Sequence, residues 1–179
     1  MNSYLVISGV GPDRVGLVDE ISGFLSGKNL NIEDSRMAVL GGEFALILLV
    51  SGEDKNIAEL IESLPKLSSS TGLNLQAKAT VAPQARHLEK TIPYQMVVSG
   101  MDHPGIVRKF TSILHKYQAN IEAMETRVNP APLSGTPVFT MQCKLAVPAQ
   151  LKIKELKSEL SAVADQENLD LDFEPADTK

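Results

Sequence analysis

Two segments of the chain carry the same helical pattern of hydrophobic positions. In the first segment, apolar residues recur at i, i+1, i+4, i+7 and i+8, which places them on one face of an α-helix; they are Leu17, Val18, Ile21, Phe24 and Leu25. The second segment repeats this face with Ile106, Val107, Phe110, Ile113 and Leu114. A short β-prone run precedes each segment, at residues 5–7 and at residues 95–98. The pattern therefore predicts a strand followed by an amphipathic helix in both places.

These two segments belong to an internal repeat. With a shift of 89 positions, residues 11–39 align with residues 100–128 without a gap, and nine of the 29 pairs are identical. The register then slips by six positions, because the second copy carries extra residues around residues 129–136. Two copies of about 80 residues thus fill the 179-residue chain, which predicts two small domains rather than one of medium size.

The rest of each copy predicts a hairpin, a helix and a last strand. In the first copy, Gly41-Gly42 separates two β-prone runs, which is typical of a tight two-residue hairpin. The second copy has its longer, Pro- and Gly-bearing insertion at this point. Apolar residues at helical spacing follow at residues 57–64 and 153–163. Both copies end in a β-prone run, at residues 73–81 and 169–173.

The resulting order β-α-β-β-α-β is the split βαβ, or ferredoxin-like, arrangement. We therefore predict an α+β protein with two ferredoxin-like βαββαβ domains in tandem. The first domain is predicted to cover residues 1–82 and the second residues 92–179, joined by a polar linker at residues 83–91. Domains of this size bury only a modest core alone, so we expect them to pair through their sheets or helices.

Composition disfavours several classes of function. The chain has 17 Lys and Arg against 22 Asp and Glu, a net charge of −5, and only 4% aromatic residues. Direct nucleic-acid binding needs a basic face and often stacking aromatic side chains, so we expect none. A single cysteine, Cys143, and three scattered histidines offer neither a disulfide framework nor a metal-ligand spacing. Because no apolar run reaches the roughly 18–20 residues of a membrane span and no signal peptide is recognisable, we expect a cytoplasmic protein without membrane contact, metal or cofactor.

The loop before the first helix of each copy carries the motif of a known family. In the first copy, Gly-Pro-Asp-Arg-Val-Gly-Leu-Val at residues 11–18 is followed by Asn31-Ile32. In the second copy, Gly-Met-Asp-His-Pro-Gly-Ile-Val at residues 100–107 is followed, after the same interval, by Asn120-Ile121. Each copy therefore resembles an ACT domain, and the resemblance extends over nearly the full chain.

The resemblance implies that a small amino acid binds at an interface between paired ACT domains. The walls of such a site are the loop before the first helix and the start of the second strand. By motif position, the candidate ligand-binding residues of the first copy are Gly11, Pro12, Asp13, Arg14, Gly16, Asn31 and Ile32. Those of the second copy are Asp102, His103, Gly105, Asn120 and Ile121. Val15 stands where the family commonly has proline and His103 where it has arginine, which suggests that the two copies have diverged.

The chemistry of these residues supports such a site independently. The start of a helix offers unpaired N–H groups and the positive end of its dipole to a carboxylate. An aspartate can accept a hydrogen bond from an ammonium group, and an asparagine amide can both donate and accept. Glycine in the loop lets a ligand or a neighbouring backbone approach closely. A ligand as small as glycine would need only these groups.

Each candidate residue also has a purely structural interpretation. The two aspartates are suited to capping the helix that follows, the two loop glycines to close packing of helix and sheet, and the two asparagines to a left-handed turn. Arg14 and His103 can be ordinary solvated side chains, and Cys143 a small core residue of a strand. The acidic run at residues 165–177 is typical of a solvated strand face and tail.

We therefore predict a non-catalytic regulatory protein whose effector is a small amino acid, with glycine among the candidates. No catalytic motif or nucleophile–base pair is apparent, so we assign no catalytic residue. The resemblance implies control of gene expression. Because the chain is acidic and shows no helix-turn-helix, we expect this control to act through a DNA-binding transcription regulator as protein partner, and we expect a homodimer. The alternative is a ligand-free ACT adaptor that regulates another enzyme or regulator by protein contact alone.

Overall fold

The structure, a computed structural model, describes residues 2–82 and 90–176. The chain divides into two compact units with the boundary after residue 87, which we call unit 1 and unit 2 and describe separately. The elements of unit 1 are β1 (Asn2–Pro12), α1 (Leu17–Ser26), β2 (Asn31–Leu40), β3 (Glu43–Glu53), α2 (Asp54–Thr71) and β4 (Asn74–Thr80). Those of unit 2 are β5 (Thr91–Met101), α3 (Ile106–Lys116), β6 (Asn120–Pro130), β7 (Pro137–Pro148), α4 (Ile153–Glu167) and β8 (Leu169–Pro175).

Both units confirm the predicted order β-α-β-β-α-β and the α+β, ferredoxin-like fold. Each contains one four-stranded antiparallel sheet, with strand order β2-β3-β1-β4 in unit 1 and β6-β7-β5-β8 in unit 2. The first strand of each unit therefore lies in the interior of the sheet, between the third and the fourth. The strands are longer than the short apolar runs that predicted them, because hydrogen bonding continues into polar and glycine-containing ends.

One face of each sheet packs against the two helices of its unit. In unit 1 the buried strand residues Leu5, Ile7 and Leu48 join the helix residues Ile21 and Leu60 in one hydrophobic core. Unit 2 has an equivalent core that includes Phe110 of α3 and Leu160 of α4. The buried positions of α1 and α3 belong to the predicted apolar faces, because a helix in a two-layer fold buries one stripe of side chains.

The turn between the second and third strands differs between the units as predicted. In unit 1, Gly41 and Gly42 both have positive φ angles, of 60° and 86°, which is the backbone conformation of a tight type I′ hairpin. In unit 2, a six-residue loop at residues 131–136 connects β6 and β7. It is closed by a hydrogen bond from the Ala131 N–H to the Thr136 carbonyl, 2.8 Å long.

The helix starts differ from the predicted capping. Helix α1 begins after Gly16, whose φ is 93°, and α3 begins after Gly105, whose φ is 101°; neither start has a side-chain cap. Asp13 and Asp102 lie three residues before these N-cap glycines, so the capping interpretation is wrong. The glycines also do not serve close packing, because a Cβ at Gly16 would have only a Glu20 carboxylate oxygen within reach, at 4.0 Å. They are required by the left-handed backbone conformation, which other residues rarely adopt.

The left-handed turn expected at the asparagines lies two residues earlier. Asn29 and Gln118 each have a φ of 55°, and the turn interpretation of Asn31 and Asn120 is therefore wrong. These two asparagines instead open strands β2 and β6. Cys143 is confirmed as a buried strand residue, and burial raises the pKa of its thiol to about 11.

The predicted linker falls largely outside the described residues, since 83–89 are not among them. Thr91, the last residue assigned to the linker, is the first residue of β5. Within residues 2–82 and 90–176, no helix is both long enough and apolar enough to cross a membrane.

Candidate ligand site

The candidate residues of unit 1 fall into two separate places on the sheet. The first place, which we call the loop half-site, consists of residues 11–16 and the first turn of α1. The second, the strand half-site, consists of Asn31, Ile32, Glu33 and Ser51. In unit 2 the loop half-site is formed by residues 100–105 and the strand half-site by Asn120, Ile121 and Glu122.

The loop half-site of unit 1 joins the end of β1 to the start of α1. The Asp13 N–H donates a hydrogen bond of 3.0 Å to the Gly42 carbonyl, which places the loop beside the hairpin turn. The first intrahelical bond of α1 runs from the Glu20 N–H to the Gly16 carbonyl, at 2.9 Å. The N–H groups of residues 17–19 therefore have no acceptor within the helix. With no side-chain cap at Gly16, the first turn of α1 offers donors to an anion.

Arg14 connects this loop to both helices of unit 1 through hydrogen bonds. Its guanidinium donates two hydrogen bonds to the Glu20 carboxylate, at 2.7 and 2.8 Å, and a third of 3.2 Å to the Ser70 carbonyl near the end of α2. The bidentate pair lowers the pKa of Glu20 and raises the pKa of Arg14. Arg14 is therefore an exposed cation whose two Nη groups donate hydrogen bonds within the unit.

A different carboxylate, that of Glu167, lies beside the loop half-site of unit 2. The Asp102 N–H donates a hydrogen bond of 3.0 Å to the Pro137 carbonyl, as Asp13 does to Gly42. His103 Nε2 lies 3.5 Å from a carboxylate oxygen of Glu167 at the end of α4, and Lys109 Nζ lies 2.5 Å from the other oxygen. The Glu167 side chain is only 14% exposed. The hydrogen bond from Lys109 holds the pKa of this carboxyl below its usual value.

The strand half-site lies at the opposite end of the sheet from the loop half-site. Asn31 is opposite Ser51, which is opposite Tyr4 near the start of β1, whereas Pro12 at the end of β1 is opposite Glu43. Eight residues of extended strand separate these two rows, a distance of about 27 Å. One amino acid cannot contact both half-sites of a single unit, and the same holds for Asn120 and the loop of unit 2.

Within the strand half-site, a carboxylate orients the candidate asparagine. Asn31 Nδ2 donates a hydrogen bond of 3.0 Å to Glu33, and the Ser51 hydroxyl donates to the same oxygen. Glu33 stands at a bulge in β2, where the register with β3 shifts. The two hydrogen bonds, first that from Ser51, lower the pKa of Glu33. The Ile32 side chain packs against the core of unit 1, as Ile121 does in unit 2.

Sequence reasoning did not include Glu33 and Ser51. Glu33 was visible as one of the nine identities of the repeat, where it aligns with Glu122. Ser51 had no such signal, because Ala146 takes its place opposite Asn120 in unit 2. Among the residues that the structure describes, no group of three or more His, Cys, Asp or Glu side chains is arranged to hold a metal ion.

Comparison with known proteins adds a family and several relatives. The family model of the ACT domain matches residues 3–78 and again residues 95–174. The glycine cleavage system transcriptional repressor of Escherichia coli is 30% identical over 165 residues, which cover 92% of this chain and 86% of the repressor. A UPF0237 protein of Methanopyrus kandleri is 34% identical over 84 residues, which cover 46% of this chain and 93% of that protein.

Two solved structures match over nearly the whole chain. The crystal structure of an unknown protein from Galdieria sulphuraria superposes with a TM-score of 0.81 at 34% identity, and the match covers 99% of this chain and 100% of that one. A structure assigned provisionally to a glycine cleavage system transcriptional repressor has a TM-score of 0.72 at 24% identity, with 99% of each chain covered. At this level of identity, the second match bears on the fold alone.

Proposed function

The chain belongs to the ACT domain family, with two copies of the domain, and from this premise we propose that it is a non-catalytic regulatory protein whose effector is a small amino acid. A relative that matches 92% of the chain is a transcriptional repressor of the glycine cleavage system. We therefore propose control of gene expression as its output, and glycine as the first effector to test.

The observation that carries this proposal is the uncapped start of α1 beside an exposed aspartate. The first-turn N–H groups and the helix dipole favour a carboxylate, while the Asp13 side chain can accept a hydrogen bond from an ammonium group. Gly16, in its left-handed conformation, leads the chain directly from this loop into the helix. These groups suit the two charged ends of a free amino acid.

The separation of the half-sites supports a site that is shared between two ACT domains. The loop half-site can bind the charged ends of the ligand, and the Asn31 amide, oriented by Glu33, can supply further hydrogen bonds. About 27 Å of strand lies between them in one unit. The two therefore complete one site only when the loop of one domain meets the strand half-site of another. Pairing of this kind would also link ligand binding to assembly.

Arg14 is assigned a positioning role in this proposal. Its guanidinium is engaged with Glu20 and the Ser70 carbonyl, so it fixes the loop against α1 and α2 rather than contacting the ligand. In unit 2, His103 and Lys109 meet Glu167 instead. The two loops are thus held by different contacts, and we expect unequal affinities for the effector.

The proposed partner is a DNA-binding transcription regulator, and the proposed assembly is a cytoplasmic homodimer. The net charge of −5 does not favour direct binding to DNA, whose phosphates attract basic side chains. A ligand that binds the free and partner-bound forms differently would shift the balance between them. A ligand-free adaptor remains the second candidate, favoured by the internal bonding of Arg14 and Asn31.

The decisive experiment is titration of the full chain with glycine, alanine and serine by calorimetry. We expect glycine to bind, and we expect Asp13→Ala and Asn31→Ala each to weaken binding by about tenfold or more, as the loss of one charge-assisted hydrogen bond would. Glu62→Ala, on the exposed surface of α2, is the matched control and should bind as the wild type does. If no amino acid binds, the adaptor replaces the sensor. A salt-sensitive DNA gel shift by the purified chain alone would contradict the partner-mediated output.

A further inference from the structure

The sheet of unit 1 has a second face, turned away from α1 and α2, which we call the outer face. Along β1 and β3, buried residues alternate with more exposed ones, and the exposed set points to this face. A sheet covered on one side only is usually polar on the other. Here the outer face is apolar at its centre; its hydrophobic members are Val6, Val10, Ala38, Ala45, Ile47 and Leu49.

The corresponding face of unit 2 is polar, although the two sheets share the same register. Ile47 of unit 1, 48% exposed, corresponds to Gln142, and Leu49 corresponds to Lys144. Val6 corresponds to Gln95 in the adjacent strand. The difference therefore does not come from the fold. An exposed apolar patch bounded by polar residues is typical of a protein–protein contact surface.

The charges at the two edges of the outer face are arranged to match a second copy. One row across the sheet reads Asp34, Leu49, Val6 and Lys78, from the edge strand β2 to the edge strand β4. When two such faces meet about a two-fold axis parallel to the strands, this row lies over the same row in reverse order. Asp34 of each copy then faces Lys78 of the other, with the apolar residues between them.

The alternative two-fold axis, perpendicular to the strands, is disfavoured by charge. It would lay β2 over β2 of the second copy and, for an axis through the row of Arg36 and Ile47, would place Arg36 opposite Arg36. Like charges facing each other across an interface oppose association. Arg36 also pairs with Asp34 of its own strand, which reduces this repulsion, so the parallel axis is favoured mainly by the contact of Asp34 with Lys78 of the second copy.

The size of the outer face suits a homodimer. Four strands about 4.8 Å apart and about nine residues long span roughly 600 Å². Two such faces together bury about 1,200 Å², which is the lower end of the range for specific, stable interfaces. Sheets that pack face to face in this way lie about 10 Å apart.

We propose that the outer face of unit 1 is a homodimer interface, in which a second copy of this chain packs its own unit 1 sheet face to face about a two-fold axis parallel to the strands. This goes beyond the proposed amino-acid sensing and does not depend on it, because neither half-site contributes a residue to the apolar centre. The polar face of unit 2 in a second copy would be a poorer occupant, since it would bury charged side chains such as Lys144 against aliphatic ones without partners.

The first test compares Ile47→Asp with Gln142→Asp by analytical ultracentrifugation of the full chain over a range of concentrations. Both substitutions place one carboxylate at the same position of a sheet, one on each unit. We expect the wild type to dimerise, Ile47→Asp to raise the dimer Kd by at least about 100-fold, and Gln142→Asp to leave it within about twofold. A monomeric wild type at about 100 μM, or an Ile47→Asp variant that dimerises as the wild type does, would overturn the proposal.

A charge exchange tests the orientation. Asp34→Lys and Lys78→Asp should each weaken the dimer by about tenfold, and the double variant should return to within about threefold of the wild type. A double variant no better than the worse single variant would reject the parallel axis. Circular dichroism checks folding; if Ile47→Asp does not fold, Ile47→Ser serves instead, and an unchanged Kd for it would also overturn the proposal. Glycine titration of the same variants separates this result from the sensing proposal. A two-fold axis parallel to the strands stacks the loop end of one sheet on the loop end of the other, so this dimer does not join a loop half-site to a strand half-site, and Ile47 belongs to neither.

Discussion

Units 1 and 2 have the same fold but carry different side chains at equivalent surface positions. Both place a left-handed glycine at the start of the first helix, at Gly16 and Gly105. In unit 1 the loop before this glycine is held by an arginine that meets a carboxylate on α1, Glu20. In unit 2 the position of Glu20 is occupied by Lys109, and the carboxylate is Glu167 at the end of α4. Each loop therefore has a carboxylate beside it, but different elements supply the carboxylate: Glu20 of α1 in unit 1 and Glu167 of α4 in unit 2.

The strand half-sites and outer faces have diverged further than the loops. Unit 1 has the hydroxyl of Ser51 to orient Glu33, while unit 2 has Ala146 at that position. Unit 1 presents aliphatic residues on its outer face, and unit 2 presents polar ones. The glycines that fix the backbone conformation are shared by the two units, whereas these side chains are not. We infer that the two units serve different contacts in the assembled protein.

The largest expected difference between the units concerns a glycine at the end of their first strands. A Cβ at Gly11 would lie 2.6 Å from the Gly72 carbonyl oxygen, which is backbone, whereas a Cβ at Gly100 would first meet the end of the Leu169 side chain, at 2.5 Å. A side chain can move and a backbone oxygen held in a helix cap cannot move easily. We expect Gly11→Ala to lower the unfolding free energy by about 3 kcal/mol and Gly100→Ala by about 1 kcal/mol. Urea unfolding of the full chain measures both, and equal losses would contradict the asymmetry.

The second difference is in the response to acid. The pKa of Glu167 is lowered in the folded state by the hydrogen bond from Lys109, so its carboxylate stabilises unit 2 above the unfolded-state pKa, near 4.5. This contribution is lost as the pH falls through the lower folded-state pKa. Glu167→Gln should therefore reduce the Tm at pH 7 and converge on the wild type at strongly acidic pH.

Scanning calorimetry at a series of pH values measures this convergence, with Glu174→Gln on the exposed face of β8 as the control. Glu20→Gln makes the same comparison for unit 1, where Arg14 is the partner and lowers the pKa of Glu20. If the Tm of Glu167→Gln stays parallel to that of the wild type at all pH values, the carboxylate does not stabilise unit 2 through its charge.

The smallest expected effect distinguishes the strand half-sites. Ser51 is only 4% exposed and its hydroxyl donates to Glu33, so Ser51→Ala removes one hydrogen bond and lets the pKa of Glu33 rise toward its usual value. We expect a decrease in Tm of about 1–4 °C. Ser26→Ala, at an exposed position of α1, is the control and should change the Tm less. If the Ser51→Ala variant is as stable as the control, the hydrogen bond from Ser51 to Glu33 stabilises the fold no more than a hydrogen bond to water would.

The order of elements could be predicted from the sequence because each hydrophobic pattern occurs in both copies of the repeat. The helical spacing of α1 recurs in α3, and Gly41-Gly42 marks a hairpin by the conformation that only glycine adopts readily. The helix starts were misassigned because an aspartate before a helix usually caps it, and the glycine that takes this role is recognised only by its φ angle. The local sequence therefore predicts whether a segment is a helix or a strand better than it predicts the residue at which the helix begins.

The outer face and the ion pairs could not be predicted in the same way. The run from Phe44 to Val50 is apolar at every position, so it does not show which residues face the core and which face outward. The pairing of His103 with Glu167 joins residues that are 64 positions apart in the chain. Such contacts depend on the sheet order and on the packing of the second helix, and neither can be predicted from a local sequence pattern.

The strand order also has a consequence for how each unit folds. In unit 1, β1 lies between β3 and β4, and Tyr4 is opposite Thr80. A growing chain that contains β1 through β3 therefore still has an open edge next to its first strand, with residues 4–10 unpaired on that side until β4 is added. Because this last pairing joins the two ends of the unit, the sheet closes through contacts of high sequence separation, which slows folding relative to helical proteins of the same size. Pairing of the short strand β4 thus completes the sheet of unit 1, and pairing of β8 completes the sheet of unit 2.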